Sequence, residues 1–257
     1  MQKVLIYYMH AFFLEKEKRY PGSSMVKKID ILGVKLDNYT VREAIRQVES
    51  YLSNDTLNTI EHISMQMLTA AEGDAISKDM INSLNLAIIG EKEILQAAGL
   101  ASMQRVRETE ENDFYFEFFK RLERNKKSIF LLGEATQKVE EMKKELLTSF
   151  PKLVFAGEYA VEKCVGNLEA VINEMNAGTP DVIVSILPSP MQEHFLWDHR
   201  DKISANIWYG VGNLPFHKKK HGILGYLRSL IHLGKLKNSM SKYRLNKRGN
   251  SDAEIDE

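Results

Sequence analysis

A short apolar run, SIFLL at residues 128–132, opens the stretch of sequence that decides the fold. Similar runs return as LVFA at 153–156 and as DVIVSIL at 181–187. The residues between them, at 136–148 and 168–176, have the spacing of amphipathic helices. Short apolar strands that alternate with helices are typical of a parallel sheet covered by helices on both faces. We therefore predict an α/β fold with a Rossmann-like, mostly parallel sheet.

The same alternation extends outward from this stretch in both directions. On the N-terminal side, the capping box Thr40-x-x-Glu43 predicts a helix that runs to about residue 53. A polar segment at 105–112 precedes an aromatic-rich helical stretch. The remaining predicted strands are residues 30–36, 59–64, 86–89 and 206–209, and the remaining helices run from 65 to about 83 and from 191 to 202.

The composition is that of a globular chain in a reducing compartment. The 257 residues are 44% hydrophobic and 27% charged, which provides for a real core and argues against disorder. The single cysteine, Cys164, excludes a disulfide framework within the chain and a cysteine-based zinc cluster. No apolar run reaches the roughly 18 residues that a membrane-spanning helix requires. We therefore expect a cytoplasmic protein.

The balanced total of 35 Lys and Arg against 35 Asp and Glu conceals a basic segment near the C-terminus. Residues 217–250 contain ten Lys or Arg and no acid, and such a block normally meets an anionic surface. We divide the chain into an N-terminal extension at 1–24, an α/β domain at 25–216, a basic helical appendage at 217–250 and an acidic end at 251–257.

The N-terminal extension allows three interpretations. Its apolar residues 4–14 are too few for a spanning helix, and Met25 stands just before the first clear globular pattern. The extension is thus either a poorly packed segment or the product of a start codon assigned too early. A short interfacial helix is the third interpretation.

Most of the predicted strands end in glycine or proline, at the edge where a parallel sheet binds its ligand. Glycine lets the backbone approach a ligand closely, and the N-terminus of the next helix offers N–H groups to a phosphate. Ordinary strand-to-helix turns use the same residues, and neither a Walker motif nor a complete dinucleotide fingerprint is present. Together the strand ends favour a nucleotide-type ligand. They are Gly90-Glu91, Gly133-Glu134, Gly157-Glu158, Pro188-Ser189-Pro190 and Gly210-Val211-Gly212.

The segment Ser189-Pro190-Met191-Gln192-Glu193 follows one predicted strand and precedes an aromatic helix. It resembles the G-x-P-x-Q-E segment of the WecG/TagA/CpsF glycosyltransferase family. Other matches follow the family order along residues 28–236. They are Ile31-Leu32-Gly33-Val34, Phe130-Leu131-Leu132-Gly133, Phe150-Pro151, Gly210-Val211-Gly212 and Tyr226-Leu227-Arg228.

This resemblance implies an inverting transferase that needs neither a metal nor another cofactor. Members of the family move N-acetylmannosamine or a related sugar from a UDP donor to a lipid-linked sugar, in the synthesis of teichoic acid, enterobacterial common antigen or capsule. The polyprenyl-diphosphate-linked acceptor lies at the cytoplasmic membrane face, where the family's C-terminal segment docks and brings arginines toward the active site. We therefore expect a peripheral protein of the inner membrane face, with Arg228 neutralising the diphosphate.

The chain departs from the family at the residues that carry the chemistry. His62 and Ser64 stand where the family has a Thr-x-Asn pair, and Gly90 stands where it has its catalytic Asp. Either Glu91, which opens a predicted helix, or His62 would then take the proton of the acceptor hydroxyl. The alternative is a catalytically inactive relative that binds a nucleotide-sugar or a partner glycosyltransferase.

Substrate binding is assigned to the turns and polar residues of the same sheet edge. Gln192 and Glu193 would hydrogen-bond the uridine or sugar hydroxyls, in a crevice bounded by the turns at Gly90, Gly133 and Pro190. The expected substrate-binding residues are Ser64, Gly90, Gly133, Glu134, Pro190, Gln192, Glu193, Gly210, Gly212 and Arg228.

The basic appendage also contains an apolar stripe, formed by Ile223, Leu227, Leu230 and Ile231. An amphipathic basic helix of this kind can bind an anionic membrane surface. A helix packed on the body and a nucleic-acid arm are the alternatives, and the scarcity of stacking aromatics argues against nucleic acid. The sequence leaves room for a homo-oligomer and does not determine the oligomeric state.

Overall fold

One eight-stranded sheet organises the part of the chain that the computed structural model describes, residues 28–165, 167–212 and 233–245. The strands are β1 (Lys28–Ile31), β2 (Val34–Asp37), β3 (Asn58–Ile63), β4 (Leu86–Ile89), β5 (Ser128–Gly133), β6 (Val154–Ala160), β7 (Val182–Ser185) and β8 (Ile207–Gly210). They lie in the order β1-β2-β4-β3-β8-β7-β5-β6. Only the β1–β2 pair is antiparallel among the described strands.

Helices cover both faces of this sheet. They are α1 (Val41–Tyr51), α2 (Met65–Gly73), α3 (Ala75–Ser83), α4 (Lys92–Ala98), α5 (Met103–Glu110), α6 (Asp113–Arg124), α7 (Thr136–Ser149), α8 (Glu169–Ala177), α9 (Met191–His199) and α10 (233–245). One face packs against α1, α6 and α7, and the other packs against α2, α3, α4, α8, α9 and α10.

The central strands are apolar at nearly every position because both of their sides are covered. In β7, Val182 and Val184 join the core under α6 and α7, whereas Ile183 joins the core on the opposite face. All four residues of β7 are buried. The predicted α/β fold with a mostly parallel sheet is thus confirmed.

The prediction of a single strand over residues 30–36 is wrong, because the chain reverses at Leu32 and Gly33 to form the β1–β2 hairpin. Both residues have positive φ angles, of 58° and 80°, which match the tight turn of a two-residue hairpin. The Asp30 carboxylate accepts a hydrogen bond from the Gly33 amide at 2.8 Å and stabilises the turn. An alternating apolar pattern on both sides of the turn conceals this reversal.

Four other features differ from the prediction. Gly157 lies inside β6 instead of following its end. The Phe130 ring packs over this glycine, and a Cβ there would lie only 2.7 Å from the ring. The helix predicted from residue 65 is divided at Asp74, which ends α2 and caps α3. The polar segment at 105–112 lies largely in α5, and the helix predicted to reach residue 202 ends at His199 before a 3-10 turn.

Helix α10 is the described part of the basic appendage, and it packs on the body of the protein. Its Leu236 and Met240 are buried in the core beneath it, and its Tyr243 hydroxyl donates a hydrogen bond to Asp30 on β1 at 3.5 Å. The apolar stripe at residues 223–231 lies outside the described residues, as do the N-terminal extension and the acidic end. Among the residues searched, no helix combines the length and apolar character needed to cross a bilayer.

Candidate active site

The carboxyl ends of the parallel strands meet at one edge of the sheet, as the fold predicts for a ligand site. A small pocket opens there beside β3 and β4. His62 and Gly90 lie at these strand ends, and residues from the end of β2 and from α5 and α6 complete the wall. The structure therefore brings two of the predicted site residues into one pocket.

His62 is the most deeply buried polar residue of this pocket that lacks a partner. It is 6% exposed, and its ring packs against those of Phe114 and Tyr209 at centroid distances of 5.4 and 5.7 Å. Neither ring nitrogen has a hydrogen-bond partner within the described residues. Burial lowers the pKa of His62 to about 3, so the imidazole is neutral.

The charged groups of the pocket are compensated by their neighbours. Arg105 on α5 approaches the Glu108 carboxylate at 3.4 Å, although its Nε has no hydrogen-bond partner within the described residues. Asp37 accepts a hydrogen bond from the Ala87 amide at 2.8 Å and pairs with Lys28 at 3.2 Å. Both acids that line the pocket, Asp37 and Glu108, are thus paired with basic side chains.

Gly90 and its neighbours leave little room for a side chain at the end of β4. The Gly90 amide donates a hydrogen bond to the Ile63 carbonyl at 2.9 Å, and a Cβ on Gly90 would lie 3.0 Å from that oxygen. Glu91 precedes the first residue of α4 and is half-buried, and it is not among the residues that line the pocket. Ser64 caps α2 by accepting a hydrogen bond from the Met67 amide at 3.2 Å.

Gln192 and Glu193 lie on the opposite face of the sheet from His62. The Ser189–Pro190 peptide bond is cis, and α9 begins directly after it. Gln192 is 2% exposed and Glu193 is 0% exposed, so their side chains are enclosed by the protein. The two residues of the recognised segment are therefore inside the molecule in this structure.

Sequence reasoning missed Glu61, which is fully buried on the same face as Gln192 and Glu193. Gly210 faces it on β8, and a Cβ at Gly210 would lie 2.7 Å from Glu61 Cγ and 2.5 Å from Gln192 Nε2. Gly210 therefore makes room for two polar side chains. A signal for Glu61 was available, since an acid stands inside a predicted strand of a sheet that helices cover on both faces.

The remaining predicted residues lie apart from the pocket. Three strands separate β5, which ends at Gly133, from β4, and a Cβ on Gly133 would lie 2.6 Å from Val139 Cγ2. Glu134 pairs with Lys138 at the surface, at 3.0 Å. Gly212 has a φ angle of 56°, which favours glycine, and Arg228 lies outside the described residues. Neither Gly133 nor Pro190 lines the pocket that contains Gly90.

Comparison with known proteins identifies the class. The model of the glycosyl transferase WecG/TagA/CpsF family matches residues 29–215, which is most of the chain. The protein belongs to this family. The match covers the whole sheet and the pocket at its edge.

Curated relatives are similar over most of their length. A protein of Staphylococcus aureus strain NCTC 8325 / PS 47 is 22% identical over 230 residues, which cover 83% of this chain and 90% of that protein. A protein of strain MW2 is 22% identical over 191 residues, 74% of each chain. Both relatives are named N-acetylglucosaminyldiphosphoundecaprenol N-acetyl-beta-D-mannosaminyltransferase.

Proposed function

We propose that this protein transfers an N-acetylhexosamine, of the N-acetylmannosamine type, from a UDP donor to a lipid-linked sugar in the synthesis of a bacterial cell-surface polysaccharide or teichoic acid. The observation that carries the proposal is the pocket at the ends of β3 and β4, which is lined by His62 and Gly90. Membership of a glycosyl transferase family and the names of the relatives support the same activity.

The reaction we propose is a single displacement with inversion at the anomeric carbon, without a metal. The acceptor hydroxyl attacks the anomeric carbon while its proton passes to a base, and the bond from that carbon to the UDP oxygen breaks. UDP leaves with the bonding electrons, and a cation must neutralise the charge that develops on it. We assign that role to Arg228.

We propose Glu91 as the base in preference to His62. The low pKa of the buried His62 makes its neutral ring a weak proton acceptor, whereas it can still hydrogen-bond a sugar hydroxyl or carbonyl. Glu91 stands at the N-terminus of α4, where the helix dipole favours its ionised form. Ser64, Gly90 and the turn at Gly210–Gly212 would then contact substrate at the same edge, together with Gln192 and Glu193 at the start of α9.

A second candidate function is binding without transfer. Gly90 occupies the position of the family's Asp, and the arginine of the pocket is compensated by Glu108. A relative with these features would hold a nucleotide-sugar or a partner glycosyltransferase without turning over the donor.

We further propose that the protein acts as a peripheral protein at an anionic membrane surface. The lipid-linked acceptor would be presented there, and residues 217–250 carry the positive charge that such a surface attracts. Several basic residues of α10 are exposed on the side away from the core, namely Lys235, Lys237, Lys242 and Arg244.

The deciding experiment measures transfer of a radiolabelled sugar from UDP-N-acetylmannosamine to a polyprenyl-diphosphate-linked N-acetylglucosamine acceptor. We expect turnover by the wild-type protein and a loss of about 100-fold or more in Glu91→Gln, because a general base contributes that much. UDP affinity should persist in this variant. Glu117→Gln, at an exposed acid that pairs with Lys120 on α6, is the control.

Two outcomes would contradict this assignment. Full activity in Glu91→Gln would remove Glu91 as the base. No turnover by the wild-type protein with several UDP-sugars, combined with measurable UDP binding, would favour the non-catalytic function.

A further inference from the structure

The first turn of α9 carries Gln192 and Glu193, and it begins without a side-chain cap. Pro190, which precedes α9, makes no capping hydrogen bond with its side chain. Gln192 Oε1 and both carboxyl oxygens of Glu193 are buried without a hydrogen-bond partner within the described residues. The backbone amides of Gln192 and His194 donate to the carbonyls of Pro188 and Pro190, each at 3.1 Å. The position of this turn thus depends on contacts with neighbouring elements.

Asp74, at the junction of α2 and α3, makes such a contact. Its carboxylate oxygen Oδ2 lies 2.7 Å from Nε2 of His194, the residue that follows Glu193 in α9. The same oxygen accepts a hydrogen bond from the Ser77 hydroxyl. The other oxygen, Oδ1, accepts from the Ile76 amide at 3.1 Å and caps α3. Asp74 is therefore held by its own helix and joins that helix to α9.

The charge of Asp74 fixes the direction of its hydrogen bond with His194. The hydrogen bond from Ser77, and after it the one from His194, lowers the pKa of Asp74, so its carboxylate is ionised at neutral pH. An ionised carboxylate only accepts hydrogen bonds, so Nε2 of His194 carries the hydrogen and donates. A side chain that keeps a donor at this reach should therefore keep the contact.

A second hydrogen bond joins the same two helices at their other ends. Arg200, directly after α9, donates to the hydroxyl of Ser83, the last residue of α3, at 3.3 Å. The two helices lie side by side between these contacts. The Asp74 contact is thus the one beside Gln192 and Glu193, and the Arg200 contact provides a matched control.

Gln192 connects the first turn of α9 to the edge of the sheet. A Cβ on Gly210 would lie 2.5 Å from Gln192 Nε2, so this side chain packs directly against the end of β8. A displacement of the turn would therefore move Gln192 relative to the turn at Gly210–Gly212, which we expect to contact substrate.

We propose that Asp74 is a positioning residue for donor binding, which holds the first turn of α9 through its hydrogen bond with His194 and so keeps Gln192 and Glu193 in place beside the end of β8. Insofar as Gln192 and Glu193 bind the donor, this inference rests on the proposed function. Asp74 acts through another residue and takes no part in the chemical step. Loss of the contact should therefore weaken donor binding and leave the rate of the bound complex unchanged.

The test compares UDP affinity, by calorimetry, in the full-length wild-type protein and in His194→Phe, which keeps an aromatic ring but has no donor. We expect the affinity to fall about three- to tenfold, because a partly exposed hydrogen bond contributes on the order of that factor to an equilibrium. His194→Gln should bind UDP as the wild-type protein does, since its amide can donate to Asp74. Arg200→Gln should also keep the wild-type affinity, because it changes only the far end of α9.

The kinetics of sugar transfer distinguish positioning from a role in the reaction. In His194→Phe we expect the KM for the UDP-sugar to rise by the factor that UDP affinity loses. The kcat and the KM for the acceptor should stay within about twofold of the wild-type values. A kcat that falls by more than the donor KM rises would overturn the positioning role.

Hydrogen exchange reports on the first turn of α9 without any ligand. We expect the amides of residues 192 and 194 to exchange faster in His194→Phe, and at the wild-type rate in His194→Gln and Arg200→Gln. Wild-type exchange and affinity in His194→Phe, or equal losses in all three variants, would overturn the proposal. If His194→Phe does not fold, Asp74→Ser takes its place, because serine still caps a helix but is too short to reach His194.

Failure of the proposed function gives a different result. A wild-type protein without affinity for UDP would refute the donor site, whereas the exchange rates would still decide whether Asp74 fixes the first turn of α9. Wild-type affinity for UDP that is unchanged in His194→Phe would refute the positioning role of Asp74 alone.

Discussion

At the scale of single residues, the packing of Glu61 and Gln192 depends on a glycine, Gly210, on the neighbouring strand. Gly210 has no Cβ because Glu61 and Gln192 already occupy the space on that side of β8. The glycine looks like part of a ligand-binding turn in the sequence, and the structure gives it a packing role as well. These two roles differ in which distant residues contact the glycine, and a single sequence does not show those contacts.

Substitution of Gly210 tests this packing role. We expect Gly210→Ala to lower the free energy of unfolding by about 1–3 kcal/mol, because the added methyl group overpacks a region that cannot yield without moving Glu61 or Gln192. Gly73→Ala is the matched control, since nothing lies within 4 Å of a Cβ there, and we expect it to be neutral or to stabilise by up to about 1 kcal/mol. Urea denaturation of both variants measures the difference, and equal stabilities would contradict it.

At the scale of elements, the strands could be predicted from the sequence because both faces of the sheet are covered. Runs such as DVIVSIL are apolar at nearly every position, which indicates a strand that is buried on both sides. The β1–β2 hairpin was missed, because it depends on the backbone conformation of Leu32 and Gly33. The pocket was predicted in part. His62 and Gly90 follow apolar strands, but Arg105 reaches the pocket from a helix whose polar sequence has no clear apolar face.

The junction between α2 and α3 is sensitive to pH. Asp74 caps α3, and its carboxyl group forms hydrogen bonds with Ser77 and His194. These hydrogen bonds lower the pKa of Asp74, and the one with Ser77 has the larger effect. A lowered folded pKa stabilises the protein above the unfolded pKa, and this contribution is lost as the pH falls through the folded value.

We therefore expect Asp74→Asn to be less stable than the wild-type protein near neutral pH. Its stability should also fall less steeply from about pH 5 to about pH 3. Urea midpoints across this range measure both effects. Asp79→Asn, at an exposed acid on the same helix, should follow the wild-type curve, and identical behaviour of the two variants would refute the role of Asp74.

At the scale of the whole molecule, α10 buries its apolar residues in the core and exposes its basic residues to solvent. Its apolar residues Leu236 and Met240 serve the core, so its exposed lysines and arginine are left to interact with other molecules by charge. Sequence patterning alone could not assign these faces, because a basic amphipathic helix has the same pattern whether it lies on lipid or on protein.

Vesicle sedimentation tests the charged side of α10. We expect simultaneous replacement of Lys235, Lys237, Lys242 and Arg244 by Ala to weaken binding to anionic vesicles at least about tenfold, since each basic residue near such a surface contributes about 1 kcal/mol. The urea midpoint should not change. Replacement of four exposed lysines elsewhere, Lys120, Lys138, Lys144 and Lys152, is the control, and equal losses in both variants would contradict the assignment.

The contact between Tyr243 and Asp30 joins a late segment of the chain to the earliest described strand. During synthesis the first hairpin leaves the ribosome long before residues 233–245 exist, so the apolar surface that Leu236 and Met240 later occupy is open to water throughout that interval. A nascent chain would thus expose this apolar surface until residues 233–245 have been synthesised. Shortening the protein from its C-terminal side should accordingly favour association with chaperones in the cell before it affects any chemistry at the sheet edge.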